Sequence, residues 1–301
     1  MGGMTADGRL AIDGCEITVA QHCNLACRSC THLAPVLPVG HVDPDQLRGD
    51  LAILAKFVRA NHVRLMGGEP LLHPKLIDVM EATLRSGLSP RLRVNTNGLD
   101  LHRMPEAFWE RVHEVRIAIY PGVRIPRPHL EHAIELALRH RVDLRLMYYD
   151  DFRESYSELG TGDDRLVRRI YGTCQVAHRW RCYNVFEGHF YKCALAVFIP
   201  RVIQHESLVP FEQEGLRIVD SPSFRRELDA YLASPVPLRS CRFCLASVGK
   251  RFAHQQVRRP AWRDAQRRSL EDELDEGYLR FLEEVDPNPP DLSKEVILAK
   301  G

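Results

Sequence analysis

The chain has 301 residues, 45% of them apolar and 27% charged, enough to bury a sizeable core and unlike the composition of a disordered polypeptide. Its 41 basic and 40 acidic side chains leave a formal charge of +1, so there is no electrostatic case for nucleic acid or an anionic membrane as the main partner. No apolar run reaches the roughly 18 residues of a membrane span and no apolar signal segment is seen, so a cytoplasmic setting is expected. There the nine cysteines remain thiols rather than forming disulfides.

Residues 1–14 read as a leader. Glu16 to Ala20 is a short β-branched run and predicts a first strand, with Cys15 a small packed residue at its start. A loop follows directly, Cys23-Asn24-Leu25-Ala26-Cys27-Arg28-Ser29-Cys30, with three and then two residues between its cysteines. Three thiolates on one iron-sulfur cube leave an iron without a protein ligand, open to a small molecule. The same thiols with His22 or His32 could instead hold zinc, although zinc sites usually pair their ligands two by two across a long gap.

Asp43-Pro44 opens a predicted helix through Leu47, Leu51, Leu54 and Val58. The strand, loop and helix unit then repeats. His62 to Met66 is a second strand ending in Gly67-Gly68-Glu69-Pro70, and a helix follows through Leu76, Val79, Met80 and Leu84. Arg91 to Val94 is a third strand ending in Asn95-Thr96-Asn97-Gly98, with a helix around Pro105 to Val112. Val115 to Ile119 and Val142 to Tyr148 are the fourth and fifth, separated by a helix from His129 to His140. This rhythm implies an α/β fold with a parallel sheet, closed or partly closed as a barrel, whose working residues sit at the C-terminal ends of the strands. The cysteine loop and the turns at Gly67 and Asn95 all fall at that end. Paired glycines let another molecule approach the backbone, and Glu69 can accept a hydrogen bond from an ammonium group.

From Asp150 to Gly172 the rhythm breaks. Asp150, Asp151, Glu154, Glu158, Asp163 and Asp164 make an acidic connector, either a solvated loop or a rim attracting a polycation. Beyond it, Glu187-Gly188 fits a two-residue hairpin turn. In that register Phe186 faces His189 and Cys182 faces Cys193. Cys241-Arg242-Phe243-Cys244 is a chelating pair that, with Cys174 and Cys193, makes four ligands for a second, closed centre, an iron-sulfur cluster or a structural zinc. The stretch from Lys250 onward carries a basic segment, Arg251 to Arg268, an acidic helix-like segment, Leu270 to Val285, and the proline-rich Pro287 to Pro290. Its opposite charges suit packing, self-association or plain solvation.

The Cys-x3-Cys-x2-Cys loop after a first strand resembles the signature of the radical S-adenosylmethionine (SAM) enzymes. Ser29 stands where that family more often has an aromatic or apolar residue. The resemblance implies a partial (β/α)6 barrel over 15–150, completed by the connector 151–172, with a 4Fe-4S cluster on Cys23, Cys27 and Cys30. Gly67, Gly68, Glu69 and Pro70 match the family turn that holds the SAM amino group, and Thr96, Asn97 and Gly98 resemble the turn near the cofactor. The cysteine order in 173–250 resembles the SPASM and shorter twitch extensions, implying a second 4Fe-4S cluster on Cys174, Cys193, Cys241 and Cys244, with 251–301 as a tail. One thiol is then spare: Cys182 by the pattern, or Cys244 if Cys182 ligates instead. Cys30 to Pro35 (Cys-Thr-His-Leu-Ala-Pro) is similar to the aminoglycoside epimerases of the family. That similarity implies an aminoglycoside substrate, hydrogen return from the spare cysteine and a reducing partner such as flavodoxin or ferredoxin. Dehydrogenation of an aminocyclitol alcohol, peptide modification and a non-catalytic zinc module are the alternatives.

Overall fold

The computed structural model describes residues 3–264, 267–285 and 294–301. In chain order the first half contains β1 (Leu10–Ala20), α1 (Pro44–Leu54), β2 (Val58–Gly67), α2 (Leu76–Arg85), β3 (Leu92–Thr96), α3 (Glu106–Trp109), β4 (Glu114–Ile119), α4 (Arg127–His140) and β5 (Asp143–Tyr148). There follow β6 (Asp151–Arg153), α5 (Asp164–Gly172), β7 (Asn184–Phe186), β8 (His189–Tyr191), α6 (Ala194–Val202), α7 (Phe211–Glu214), β9 (Leu216–Arg217) and α8 (Phe224–Ala233). The last elements are β10 (Arg251–Ala253), α9 (Leu270–Glu273), α10 (Glu276–Glu284) and β11 (Lys294–Ala299). Contacts divide these residues into two units, 3–24 with 39–150 and 294–301, and 25–38 with 151–264 and 267–285. Sequence rhythm groups 15–150 as one core; by contacts the segment 25–38 belongs with the later residues.

The first unit is the α/β part. Its strands run in the order β11-β5-β4-β3-β2-β1, with β1 to β5 parallel and β11 antiparallel to β5. Among the described residues these six strands form an open row, not a closed barrel. Asp43 caps α1 through Oδ1, which accepts from the amides of Asp45 and Gln46, with Pro44 at the first helical position as its fixed φ favours. α1 ends at Leu54, and Val58, expected in the helix, lies buried in β2. The helix expected over 105–112 is a single turn, α3, whose Phe108 and Trp109 are buried.

Alternate residues of β1 to β4 pack an apolar layer that includes Ile17, Val19, Val63, Leu65, Val94 and Ile117. On the other alternation one row across the sheet is Glu16, Arg64, Arg93 and Glu114. Arg64 pairs with Glu16 at 3.1 Å, and Arg93 and Arg116 pair with Glu114 at 2.8 and 2.6 Å, so this partly buried row neutralises itself. Because the strands are parallel and in register, the C-terminal residues Ala20, Gly67 and Thr96 share one end of the sheet.

The second unit is organised by aromatic packing. Leu33, Tyr156, Phe186, Tyr191, Phe198, Phe243 and Trp262 form one buried cluster, and Leu166, Ile170, Leu245, Val248, Leu270, Leu279 and Leu282 form another. Of the open readings for the stretch after Lys250, packing holds for Trp262, Leu270, Leu274, Leu279 and Leu282, which belong to these clusters, while Pro287 to Pro290 lie outside the described residues. The acidic connector is not a bare rim. Asp163 caps α5, Asp164 pairs with Arg242, Glu158 with Arg263 at 2.6 Å, and Glu154, 1% exposed, with Arg28.

β7 and β8 form the expected hairpin with Phe186 opposite His189, and Glu187 and Gly188 take φ of +44° and +74°, the left-handed pair a two-residue turn requires. The ladder stops at Asn184 opposite Tyr191, so Cys182 does not face Cys193 across it. Arg181 turns the chain at φ +48°, and the Cys182 amide donates to the Val176 carbonyl at 3.0 Å. No helix among the described residues is long and apolar enough to cross a membrane.

Candidate functional site

In the first unit the site grows from the ends of β1, β2 and β3. Gly68 N–H donates to the Ala20 carbonyl at 2.7 Å and Glu69 N–H to the His22 carbonyl at 3.0 Å, stapling the turn after β2 to the entry of the cysteine loop. A Cβ at Gly67 would stand 2.3 Å from the Ala20 oxygen, and one at Gly68 2.0 Å from that of His22. What approaches the paired glycines is thus the backbone just before Cys23.

Glu69 is 1% exposed. Its Oε1 accepts from Leu71 N–H at 3.1 Å and Thr96 Oγ1 at 2.6 Å, and its Oε2 from Asn97 N–H at 2.8 Å. Three donors occupy three of the roughly four acceptor directions of a carboxylate. Burial pushes its pKa up to about 7 despite those bonds. Asn97 Nδ2 donates to Asn24 Oδ1 at 2.7 Å and contacts Cys23 Sγ at 3.8 Å, while Asn24 Nδ2 donates to Asp100 Oδ2 at 3.0 Å. Glu69, Asn97 and Cys23 therefore form one connected set, with Thr96 Oγ1 accepting from Gly98 N–H at 2.9 Å to close the turn. Pro70 begins the short helical turn Pro70–Leu72 and is buried.

Cys27 and Cys30 belong to the second unit. Gln256 clamps that part of the loop: Oε1 accepts from Ala26 N–H at 2.7 Å, and Nε2 donates to Cys27 Sγ at 3.1 Å. Trp262 Nε1 donates to the Cys27 carbonyl at 2.8 Å. Ser29 adopts φ +54°, is buried, and accepts two hydrogen bonds from Ser155, from its N–H to Ser29 Oγ at 2.8 Å and from its Oγ to the Ser29 carbonyl at 2.9 Å. A small hydroxyl residue suits that left-handed, hydrogen-bonded position. Burial drives the Cys27 thiol up to about 12 and raises that of Cys30, the neighbouring thiol adding to the shift at Cys27. Gln256, Trp262 and Ser155 had no readable signal in the sequence, since each acts at long range on a loop far away in the chain.

A separate cavity in the second unit is lined by Cys174, Cys193, Cys241 and Cys244, together with Tyr171 and Lys192. Cys182, half-buried, is not part of its wall. Ala177 N–H donates to Cys174 Sγ at 3.4 Å and Ala246 N–H to Cys244 Sγ at 3.2 Å, bonds that favour thiolate. Burial raises the pKa of all four thiols, and the negative charge of neighbouring cysteines adds to it at Cys193, Cys241 and Cys244. Four thiolates cannot gather there without compensating positive charge, so the donor set fits a soft metal centre. Among the described residues no three His, Cys, Asp or Glu side chains close on one point as for a single ion.

No family model matches the chain. It is 30% identical over 105 residues to a GTP 3',8-cyclase of Microcystis aeruginosa, across 33% of this chain and 31% of that protein. It is 34% identical over 106 residues to GTP 3',8-cyclase 2 of Mycobacterium tuberculosis, across 34% and 29%. The chain thus aligns with about a third of the length of these curated relatives. Similar solved structures include BtrN in complex with AdoMet and 2-DOIA, with TM-score 0.47, 16% identity, and coverage of 81% of this chain and 94% of that one. Another is Streptococcus suis SuiB bound to S-adenosylmethionine, with TM-score 0.40, 11% identity, and coverage of 75% and 67%.

Proposed function

We propose that the chain is a radical SAM enzyme that inverts a C–H stereocentre of an aminoglycoside sugar. One observation carries the enzyme class: the cysteine loop leaves β1 stapled at Ala20 and His22 to the Gly67-Gly68-Glu69 turn, with Glu69 bridged through Asn97 to Cys23. A 4Fe-4S cluster on Cys23, Cys27 and Cys30 with bound SAM would supply hydrogen-atom abstraction from an unactivated carbon. Gly67, Gly68, Glu69 and Pro70 hold the SAM amino group, the remaining acceptor direction on Glu69 serving an ammonium proton. Thr96, Asn97 and Gly98 keep that carboxylate fixed.

The epimerase assignment rests on the resemblance of Cys30 to Pro35 to neomycin C epimerase, and on which thiol is left over. Cys244 lines the four-thiol cavity and Cys182 does not, which favours Cys174, Cys193, Cys241 and Cys244 as ligands of a second 4Fe-4S cluster. Cys182 is then the hydrogen donor. Its S–H bond breaks, the hydrogen atom bonds to the opposite face of the sugar carbon, and the sulfur radical regains one electron and one proton, the electron coming from a flavodoxin or ferredoxin.

The test is anaerobic turnover of neomycin C with SAM and reductant in deuterated water. Epimerisation gives product heavier by one deuterium at carbon, and Cys182→Ala abolishes it while keeping both clusters. A product lighter by two hydrogens, formed equally by Cys182→Ala, would replace the epimerase by a dehydrogenase. A colourless protein that binds zinc after reconstitution with iron and sulfide would remove the enzyme reading altogether.

A further inference from the structure

Lys192 sits between β8 and α6, immediately before Cys193, and is 3% exposed. Its Nζ donates to Tyr171 Oη at 2.6 Å and to the Ser234 carbonyl at 3.0 Å. The Tyr171 and Tyr231 rings flank the ammonium with centroids at 5.3 and 5.2 Å. Tyr231 is fixed in turn, accepting from Lys192 N–H at 3.2 Å and donating to the Glu214 carbonyl at 2.8 Å. An ammonium has three protons, and two are placed. Among the described residues no carboxylate pairs with it: the buried Glu214 side chain instead accepts from Ser240 N–H at 2.8 Å.

A buried cation without a counter-ion is costly, so a fold that keeps one supplies an anion from elsewhere. The wall that Lys192 shares with Cys174, Cys193, Cys241 and Cys244 is the place for that anion.

We infer that Lys192 is the counter-charge of the metal–thiolate centre in this cavity, giving its third N–H to a ligating or bridging sulfur and thereby raising the centre's reduction potential. The inference rests on the proposed second 4Fe-4S cluster. Net charge and hydrogen bonds to sulfur set the potential of such clusters, and a fixed positive charge favours the state with one electron more. Tyr171 and Ser234 act as the frame that aims the ammonium. The centre is thus built to accept an electron and hold it.

The experiment uses the full-length chain carrying Cys23→Ala, Cys27→Ala and Cys30→Ala, so that only the second cluster is observed. It is reconstituted with iron and sulfide and followed by iron analysis and a redox titration monitored by electron paramagnetic resonance. Lys192→Met is expected to lower the reduction equilibrium constant at least tenfold, about 59 mV for a one-electron couple, with Lys192→Arg close to the parent. An unchanged midpoint in Lys192→Met overturns the inference. If Lys192→Met loses the cluster while Lys192→Arg keeps it, charge is what retains the cluster and the inference stands. Equal loss in both would assign Lys192 to packing and overturn it. Iron that fails to bind the parent, or that stays when Cys174 and Cys193 are also changed to Ala, refutes the second cluster itself rather than the role of Lys192.

Discussion

Gly68→Ala is the most direct test of the staple that joins the turn after β2 to the cysteine loop. The added methyl would lie 2.0 Å from the His22 oxygen, 2.4 Å from its carbonyl carbon and 3.1 Å from Cys23 N, all backbone atoms that no rotamer change can move. Relief requires the segment entering Cys23 to retreat, which breaks the Glu69 N–H bond to His22. Overpacking of this kind costs about 1–3 kcal/mol, and the lost hydrogen bond about 0.5–1.5 kcal/mol more, so a destabilisation of about 1.5–4.5 kcal/mol is expected. Gly49→Ala is the control: it lies exposed within α1 with nothing within 4 Å of an added Cβ. In a helix interior that change stabilises by about 0.5–1 kcal/mol. Anaerobic guanidinium denaturation of the two variants therefore gives shifts of opposite sign, and Gly68→Ala also binds less iron because Cys23 is displaced. Equal stability of the two variants, with iron content unchanged, would refute the staple.

Two further expectations follow from buried charge. Glu69 has its pKa raised from 4.5 to about 7 by burial, so its protonated form is favoured by folding. Its contribution to stability is full below about pH 4.5 and is lost as pH rises through about 7, so wild type should lose stability relative to Glu69→Gln across that window; parallel pH profiles would contradict this. Arg28→Met leaves the buried Glu154 carboxylate without its cation and should destabilise by about 3–5 kcal/mol. Adding Glu154→Gln should recover most of that loss in the same denaturation assay, and no recovery would show that Arg28 acts through its packing on Phe252.

The sequence by itself determined what is local. Strand and helix periodicity, the Asp43-Pro44 helix start, the Glu187-Gly188 hairpin turn and the order of the functional turns all depend on residues within a few positions of each other. Parallel pairing then places Ala20, Gly67 and Thr96 at one end of the sheet, which strand order alone implies. Local pattern failed where tertiary contacts outweighed it. Val58 has helical spacing with Leu51 and Leu54, yet it is buried in β2 because burial against the sheet, not spacing, fixes its conformation. The acidic connector and the stretch after Lys250 have the composition of solvated surface, but Glu154, Glu158, Arg263 and Trp262 find partners more than 100 positions away in the sequence.

Only the tertiary structure brought Gln256 to Cys27, set four cysteines around one cavity while leaving Cys182 out of its wall, and put beside them a lysine with no carboxylate partner among the described residues. Spacing states which thiols are near in sequence. Which thiols share a wall, and what charge faces them, depends on how β8, α5 and the Cys241–Cys244 turn pack around that space.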